Sequence, residues 1–251
     1  MMRWLALILL TAPLAWAQSS LDPRAAAMLN ELPPHGAVGE WRMLSAQETA
    51  DESGNGNSLS LSNGAAVSSG WLELNGTNQF AQASDHQSLN PRNSITIVCW
   101  YILNDYCADE QRRQLVGKES SADDRAYYFS YYNNAGPMDR FISLVLSSNG
   151  TDFWEYLSEN NIVTTGLVSM VAATYDGPTL SCSMYFQGER VYSFLNHGTP
   201  KATLADNIAP LTIGKRRNIE HWPGKIGLVR IFDRALSPDE IQRLYLEGPP
   251  K

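Results

Sequence analysis

Hydrophobic and polar positions change their period once along this chain. Leu21, Ala25, Met28, Leu29 and Leu32 fall at i, i+4, i+7, i+8 and i+11, the stripe of one short helix, which Pro33, Pro34 and Gly36 stop. From Val38 onward, short β-rich runs alternate with turn residues, which predicts an all-β sandwich or barrel rather than alternating βα units. The clearest strands are Trp71 to Leu74, Ser94 to Leu103, Tyr127 to Tyr132, Arg140 to Leu146, Leu167 to Tyr175, Thr179 to Gln187 and Gly224 to Phe232. Asn149-Gly150, Asp176-Gly177 and Gln187-Gly188 punctuate them with residues that tolerate the positive φ of tight hairpins. Ser237-Pro238-Asp239-Glu240 supplies an N-cap, a first-turn proline and two acids, and Ile241, Leu244 and Tyr245 form one face, so a short C-terminal helix closes the chain.

The first residues read as an address. Met1-Met2-Arg3 is a positive start, Trp4 to Leu14 is apolar, and Ala15-Trp16-Ala17 is an Ala-x-Ala cleavage site. The uncharged run from Trp4 to Ala17 is shorter than the about 20 residues that span a bilayer, and no later segment is long and apolar enough to do so. The expected organisation is a signal peptide over 1–17, a helix and linker over 18–37, and one β domain over 38–248. The expected location of the product is secreted or periplasmic.

Charge narrows the partners. Lys and Arg total 19 against 26 acids, a net of −7 with the basic residues scattered, which argues against nucleic acid and anionic membrane surfaces. Three cysteines exclude a disulfide-dense miniature scaffold, and no Cys-x-x-Cys or His-Glu-x-x-His offers a zinc site.

An ordered set of segments carries a resemblance. Trp41 with Asp51-Glu52-Ser53-Gly54-Asn55-Gly56-Asn57 comes first, then Leu72-Glu73-Leu74-Asn75-Gly76 and Ile95-Thr96-Ile97-Val98-Cys99-Trp100. Val171 to Gly177 and Met184 to Gly188 follow, and Gly224-Lys225-Ile226-Gly227-Leu228-Val229-Arg230-Ile231-Phe232 runs on to Ser237. Together, over roughly 38–248, they resemble the laminin G-like jelly rolls of the concanavalin A-like lectin/glucanase superfamily. The resemblance implies a two-sheet antiparallel jelly-roll sandwich, here with short N- and C-terminal helices, and a groove on a concave sheet. The chain departs from that pattern twice. Leu167-Val168-Ser169-Met170 stands where the family usually carries Trp-x-His-Val, and Gly227-Leu228 stands where it usually carries an acid that in related folds can help to hold a structural calcium ion.

Glycoside hydrolysis on this fold needs paired carboxylates, and the Glu-x-Asp-x-x-Glu of related laminarinases is absent. Glu110, Glu119 and Asp123-Asp124 read as residues of a polar loop, and His35, His86, His197 and His221 lack a nucleophile motif beside them. Asp51, Asn55 and Asn57 place side-chain oxygens in one Gly-containing loop, either a site for a structural calcium ion or a plain surface turn. Alternation puts Tyr128 and Tyr132 with Ser130 on one face and Tyr127, Phe129 and Tyr131 on the other. One row is core, and Tyr128 and Tyr132, with Trp154 and Trp222, are candidates for stacking on sugar rings, packing being the alternative. Cys99 and Cys182 share parity with core residues and are the preferred disulfide, two free core thiols being the alternative, with Cys107 in a polar loop. Asn75-Gly76-Thr77 and Asn149-Gly150-Thr151 have the glycosylation spacing and are otherwise turns.

The expected function is a non-catalytic module that binds a carbohydrate, a glycoprotein or a protein partner, in an adhesion-type role. A divergent glycoside hydrolase or lyase and a structural interaction domain without a sugar site are the alternatives.

Overall fold

The computed structural model describes residues 36–43, 49–108, 111–133, 140–217 and 219–250. The expected signal peptide and N-terminal helix lie outside them. The described chain starts with β1 (Ala37–Trp41), β2 (Ser60–Ser62), β3 (Ala66–Ser68), β4 (Trp71–Asn75) and β5 (Phe80–Ala83). The long strands β6 (Ser94–Leu103), β7 (Gln111–Ser121), β8 (Asp124–Asn133), β9 (Arg140–Ser147) and β10 (Phe153–Ser158) follow. Then come β11 (Ser169–Asp176), β12 (Ser181–Phe186), β13 (Glu189–Val191), β14 (Ser193–His197), β15 (Leu211–Ile213), β16 (Lys215–Arg216), β17 (Glu220–His221) and β18 (Pro223–Phe232). Helix α1 (Pro238–Leu246) is the last element among the described residues.

Two antiparallel eight-stranded sheets make the sandwich. The first has the order β13-β12-β11-β6-β18-β4-β3, with β1 also on β18; the second has β14-β10-β9-β8-β7-β15-β5-β2. Strands β1 and β4 divide one edge of β18 between them, pairing with Val229 to Phe232 and with Pro223 to Ile226 respectively. The jelly-roll expectation is met.

Strand β6 shows why its sequence is apolar almost throughout: both of its faces are buried. Ile95, Ile97, Cys99, Tyr101 and Leu103 enter the core between the sheets, while Val98 and Trp100 enter a second cluster outside the first sheet. Helix α1 supplies the other half of that cluster through Ile241 and Leu244, and Tyr245 stacks on Trp100 with centroids 5.7 Å apart. The helix starts with a capping box between Ser237 and Glu240, and Thr96 Oγ1 pins the preceding turn by donating to Arg234 O (2.7 Å) and accepting from Leu236 N (2.9 Å). On β18 a register shift between Ile226 and Val229 changes the parity of the strand, so that Ile226, Val229 and Ile231 all face the central core. One sheet is thus covered on its outer side by a helix, and the outer face of the other carries polar and charged residues.

Two sequence expectations are corrected. The segment read as a polar loop holds β7, so Glu119 is a buried strand residue and Asp124 begins β8, while Glu110 lies outside the described residues. Its polar composition misled because β7 spends its outward positions on Arg112, Gln114 and Glu119, and Gly117 leaves room where a Cβ would come within 2.5 Å of Tyr128 Cβ. Cys99 and Cys182 are not bridged; all three thiols are free. Across β11, Cys99 aligns with Val171 and hence with Phe186, whereas Cys182 aligns with Tyr175, four positions farther along. That offset is about 13 Å along the strand, far beyond the reach of a disulfide. Cys107 does follow in a loop, but it is buried, its Sγ donating to Gln111 O at 3.2 Å.

Candidate functional site

The outer face of the second sheet is built by the alternation of its strands. Tyr128, Ser130 and Tyr132 point outward from β8, and Tyr127, Phe129 and Tyr131 point into the core, as the period of two requires. Outward neighbours on either side are Arg112 and Gln114 from β7 and Ser143 and Val145 from β9, with Glu155 of β10 beyond. Arg112 lies over the Tyr132 ring at 3.9 Å and pairs with Glu155 at 2.7 Å; Ser143 Oγ joins them by donating to Glu155 Oε1 at 2.6 Å. Arg216, from the β16-β17 hairpin, covers the Tyr128 ring at 4.2 Å. Tyr128 is therefore buried, and its ring is occupied by guanidinium groups rather than left open for a sugar.

Glu119 anchors this cover. Its side chain is 1% exposed and receives Arg216 Nε at 2.5 Å, Arg217 Nη2 at 2.7 Å and Arg125 Nε at 3.1 Å. Burial alone would raise its pKa, but the charge and hydrogen bonds of Arg216, with Arg217 and Arg125, hold the carboxyl below its usual range. A glycosidase acid needs the opposite shift, so Glu119 is not suited to protonate a leaving group.

The two tryptophans proposed for stacking belong to the core, which corrects that expectation. Trp222 is fully buried, donates from Nε1 to Ile102 O at 3.1 Å and meets Tyr101 edge to face. Trp154 is 1% exposed and packs against the Tyr175 ring at 5.6 Å. Its neighbour Phe153 turns outward instead. Phe153 stacks on His197 of β14, centroids 4.6 Å apart, and Arg125 lies on Phe153 at 4.4 Å. Beside this stack opens a cleft of about 370 Å³, lined by Ser148, Asp152, Phe153, His197, Thr199 and Lys201 among others, and Trp154, though its side chain is buried, also borders it. Gly198 is needed there: at φ 76° its absent side chain lets the backbone approach Phe153 O, which a Cβ would meet at 2.1 Å. Phe153 shares parity with Glu155, and that acid marks the solvent side of β10; this signal in the sequence would have selected Phe153 over Trp154.

The structure brings Asp51, Asn55 and Asn57 together at the end of β1. Asp51 Oδ1 accepts from Glu40 N and Ser53 N, both at 2.9 Å, and Oδ2 from Ser53 Oγ (2.8 Å), Asn57 N (3.0 Å) and Asn57 Nδ2 (2.8 Å). Burial opposes ionisation, but these donors, led by Glu40 N, hold the carboxyl below its usual range. Val38 O accepts from the side chains of Ser53, Asn55 and Asn57. This loop has a single carboxylate, and no group of three or more His, Cys, Asp or Glu side chains converges among the described residues.

A family model described as the concanavalin A-like lectin/glucanases superfamily (Laminin_G_3) matches residues 75–242. The chain belongs to this superfamily. No curated protein matches it. Among solved structures, this superfamily member is similar to the binding domain of Paraclostridial Mosquitocidal Protein 1, at 16% identity and a TM-score of 0.63 over 84% of this chain and 52% of that one. It is equally similar to domain 4 of AbnA, an extracellular arabinanase from Geobacillus stearothermophilus solved with arabinotriose: 16% identity, TM-score 0.62, 84% of this chain and 98% of that one. The ligand binding domain of botulinum neurotoxin serotype D, solved with N-acetylneuraminic acid, follows at 11% identity and a TM-score of 0.61, covering 89% and 52%. The chain spans about half the length of the toxin domains it matches. At these identities the likeness is one of fold. Where superfamily relatives carry an acid on the closing strand, Gly227 sits in packing so close that a Cβ would come within 2.5 Å of Pro250 Cγ and 3.0 Å of Trp71 Cζ3.

Proposed function

We propose that the protein is a secreted or periplasmic, non-catalytic module that binds saccharide, free or on a glycoprotein, in an adhesion-type role. The observation that carries this reading is the cleft beside Phe153 and His197. Phe153 carries Arg125 on one face and His197 on the other, so the exposed His197 ring, backed by Phe153, is the open stacking face, and the cleft joins it to hydroxyl, carboxylate and ammonium groups, the combination that takes a sugar ring by its C–H face and its hydroxyls. The sugar complexes of two structural neighbours are in keeping with it.

The test is retention of the pure protein on a panel of polysaccharides, with reducing-end release measured in parallel. Retention without release is expected, and His197→Ala or Phe153→Ala should weaken binding several-fold, since a stacked ring contributes on the order of 1 kcal/mol beyond its buried area. Steady release lost on mutating Glu110 or Asp124 would make the protein an enzyme; Glu119 is left out of this test because its loss would destabilise the face. Retention on no glycan would leave the interaction-domain reading.

A structural calcium ion forms part of the same proposal. Asn57 Nδ2 lies 2.8 to 3.0 Å from three acceptors, Asp51 Oδ2, Val38 O and Ser88 Oγ, and two N–H groups cannot serve all three well. Asn55 likewise presents Nδ2 to Val38 O, and turning both amides over would add their oxygens to Asp51 and Val38 O, a hard-oxygen set suited to a hard cation. The ion would tie the 51–57 loop to β1. With one carboxylate in the set the affinity belongs in the weak range, so the melting temperature should rise between excess chelator and millimolar calcium, and Asp51→Ala should abolish the rise. Superimposable melting curves would dismiss the ion.

A further inference from the structure

Charge is unevenly distributed over the outer face of the second sheet. Around Glu119 stand Arg125, Arg216 and Arg217, and the only further carboxylate ion-paired there among the described residues is Glu220, held by Arg216 at 3.0 Å. Lys215 adds another cation; its Nζ lies over the Phe80 ring at 3.7 Å, and no carboxylate pairs with it among the described residues. With Asp124, whose carboxylate is bonded to Ser120 Oγ, four cations thus face three carboxylates in a chain whose net charge is −7. Such a local inversion of sign selects anions from solution.

This basic surplus opens onto a cavity. A cleft of about 210 Å³ is lined by Gln82, Glu119, Ser120, Thr212, Lys215 and Arg217, with Pro210 at its side. Arg217 Nε is buried with no hydrogen-bond partner among the described residues, although Nη2 of the same guanidinium is on Glu119. The Arg217 backbone is held at φ 52°, in the left-handed region that a long side chain rarely adopts, as residues at binding sites often are. Burial lowers the Lys215 pKa, the sign of a cation short of water and counter-charge. The cleft lies on the Glu119 side of the Glu119-Arg125-Phe153-His197 series, whose other end borders the larger cleft.

We propose that this second cleft is a subsite for the carboxylate of a uronic acid residue, so that the module selects acidic saccharides. This rests on the saccharide-binding reading. The planar carboxylate matches a guanidinium edge and an ammonium together, the Gln82 side-chain amide offers hydrogen bonds to ring hydroxyls while Ser120 and Thr212 are held by Asp124 and by Lys215 O, and the volume suits a single sugar residue rather than a long chain. Glu119 does not repel the ligand outright, because three guanidinium groups already neutralise it.

The experiment titrates the full chain with oligosaccharides of galacturonate, mannuronate and glucuronate, each beside its neutral methyl ester, in low and in physiological salt. At least one acid should bind about tenfold more tightly than its own ester, with the preference shrinking as salt rises. Lys215→Gln with Arg217→Gln should erase the preference, Lys215→Arg should keep it, and unchanged melting temperatures would exclude misfolding as the cause. Equal binding of acid and ester, or a preference that survives the double variant, overturns the subsite while leaving the saccharide reading intact if His197→Ala still weakens both ligands. Binding of none of these acids overturns it too, and absence of retention across the neutral panel as well brings down both readings.

Discussion

Replacing Glu119 by Gln tests whether the polar cover over Tyr128 is held by one carboxylate. The substitution keeps the shape of the side chain and removes the charge that three guanidinium groups share at 2.5 to 3.1 Å. Removing one partner of a buried ion pair costs about 3–5 kcal/mol because the other charge is left uncompensated. The lower end applies here: Arg216 keeps Glu220, and Arg217, with its side chain 30% exposed, can turn toward water. A loss of about 3 kcal/mol lowers the melting temperature of a domain this size by roughly 6–12 °C. Urea unfolding followed by tryptophan fluorescence should show an earlier midpoint with an unchanged slope. The pH dependence supplies a second reading. A carboxyl held below its ordinary value of 4.5 contributes fully above that pH, and the contribution drains away as pH falls through its folded value. The gap between parent and variant should therefore be widest at neutral pH and narrow below about 4.5. A gap under about 0.5 kcal/mol, or one that stays constant into the acid range, would refute the idea that this charge organises the face.

Two shorter expectations follow from the packing. Denatured protein should react with three equivalents of a thiol reagent without prior reduction, while the native protein reacts slowly, since burial pushes the thiols of Cys99, Cys107 and Cys182 up in pKa and away from solvent; fewer than three thiols before reduction would restore a disulfide. Ser237→Ala removes one half of the capping box of α1 and should cost about 1 kcal/mol in chemical denaturation, and a change within error would mean that tertiary contacts alone hold the helix start.

Much of the architecture was legible because it rests on local patterns. The period-two rows of β8, the positive-φ pair Gln187-Gly188 between β12 and β13, and the capping sequence at Ser237 each specify their own conformation. Strand β7 was hidden because its outward residues are charged, and charge is the usual mark of a loop. The site was harder to read. Alternation gave the face of Tyr128 and Tyr132 correctly, yet their covers, Arg112 and Arg216, come from different strands, and Arg216 is 88 positions away from Tyr128 in sequence. Trp154 was a candidate on residue type alone, whereas the strand's parity with Glu155 was the physical criterion and points to Phe153. The cysteine pairing failed for a related reason, since shared parity fixes a face but not a position along the strand.

Strand β18 carries a consequence for how the chain acquires its structure. It lies between β6 on one side and β1 and β4 on the other, and its partner Ala37 is about 195 residues away from Phe232, a separation that makes for slow closure. During synthesis from the N-terminus, β1, β4 and β6 all emerge long before the segment that joins them. Until then each presents an open edge to any neighbouring chain, and assembly of the first sheet waits on β18. Truncation within β18 is thus expected to yield an aggregating polypeptide rather than a smaller folded domain, and a chaperone that shields those edges would gain the most from acting before Phe232 is made.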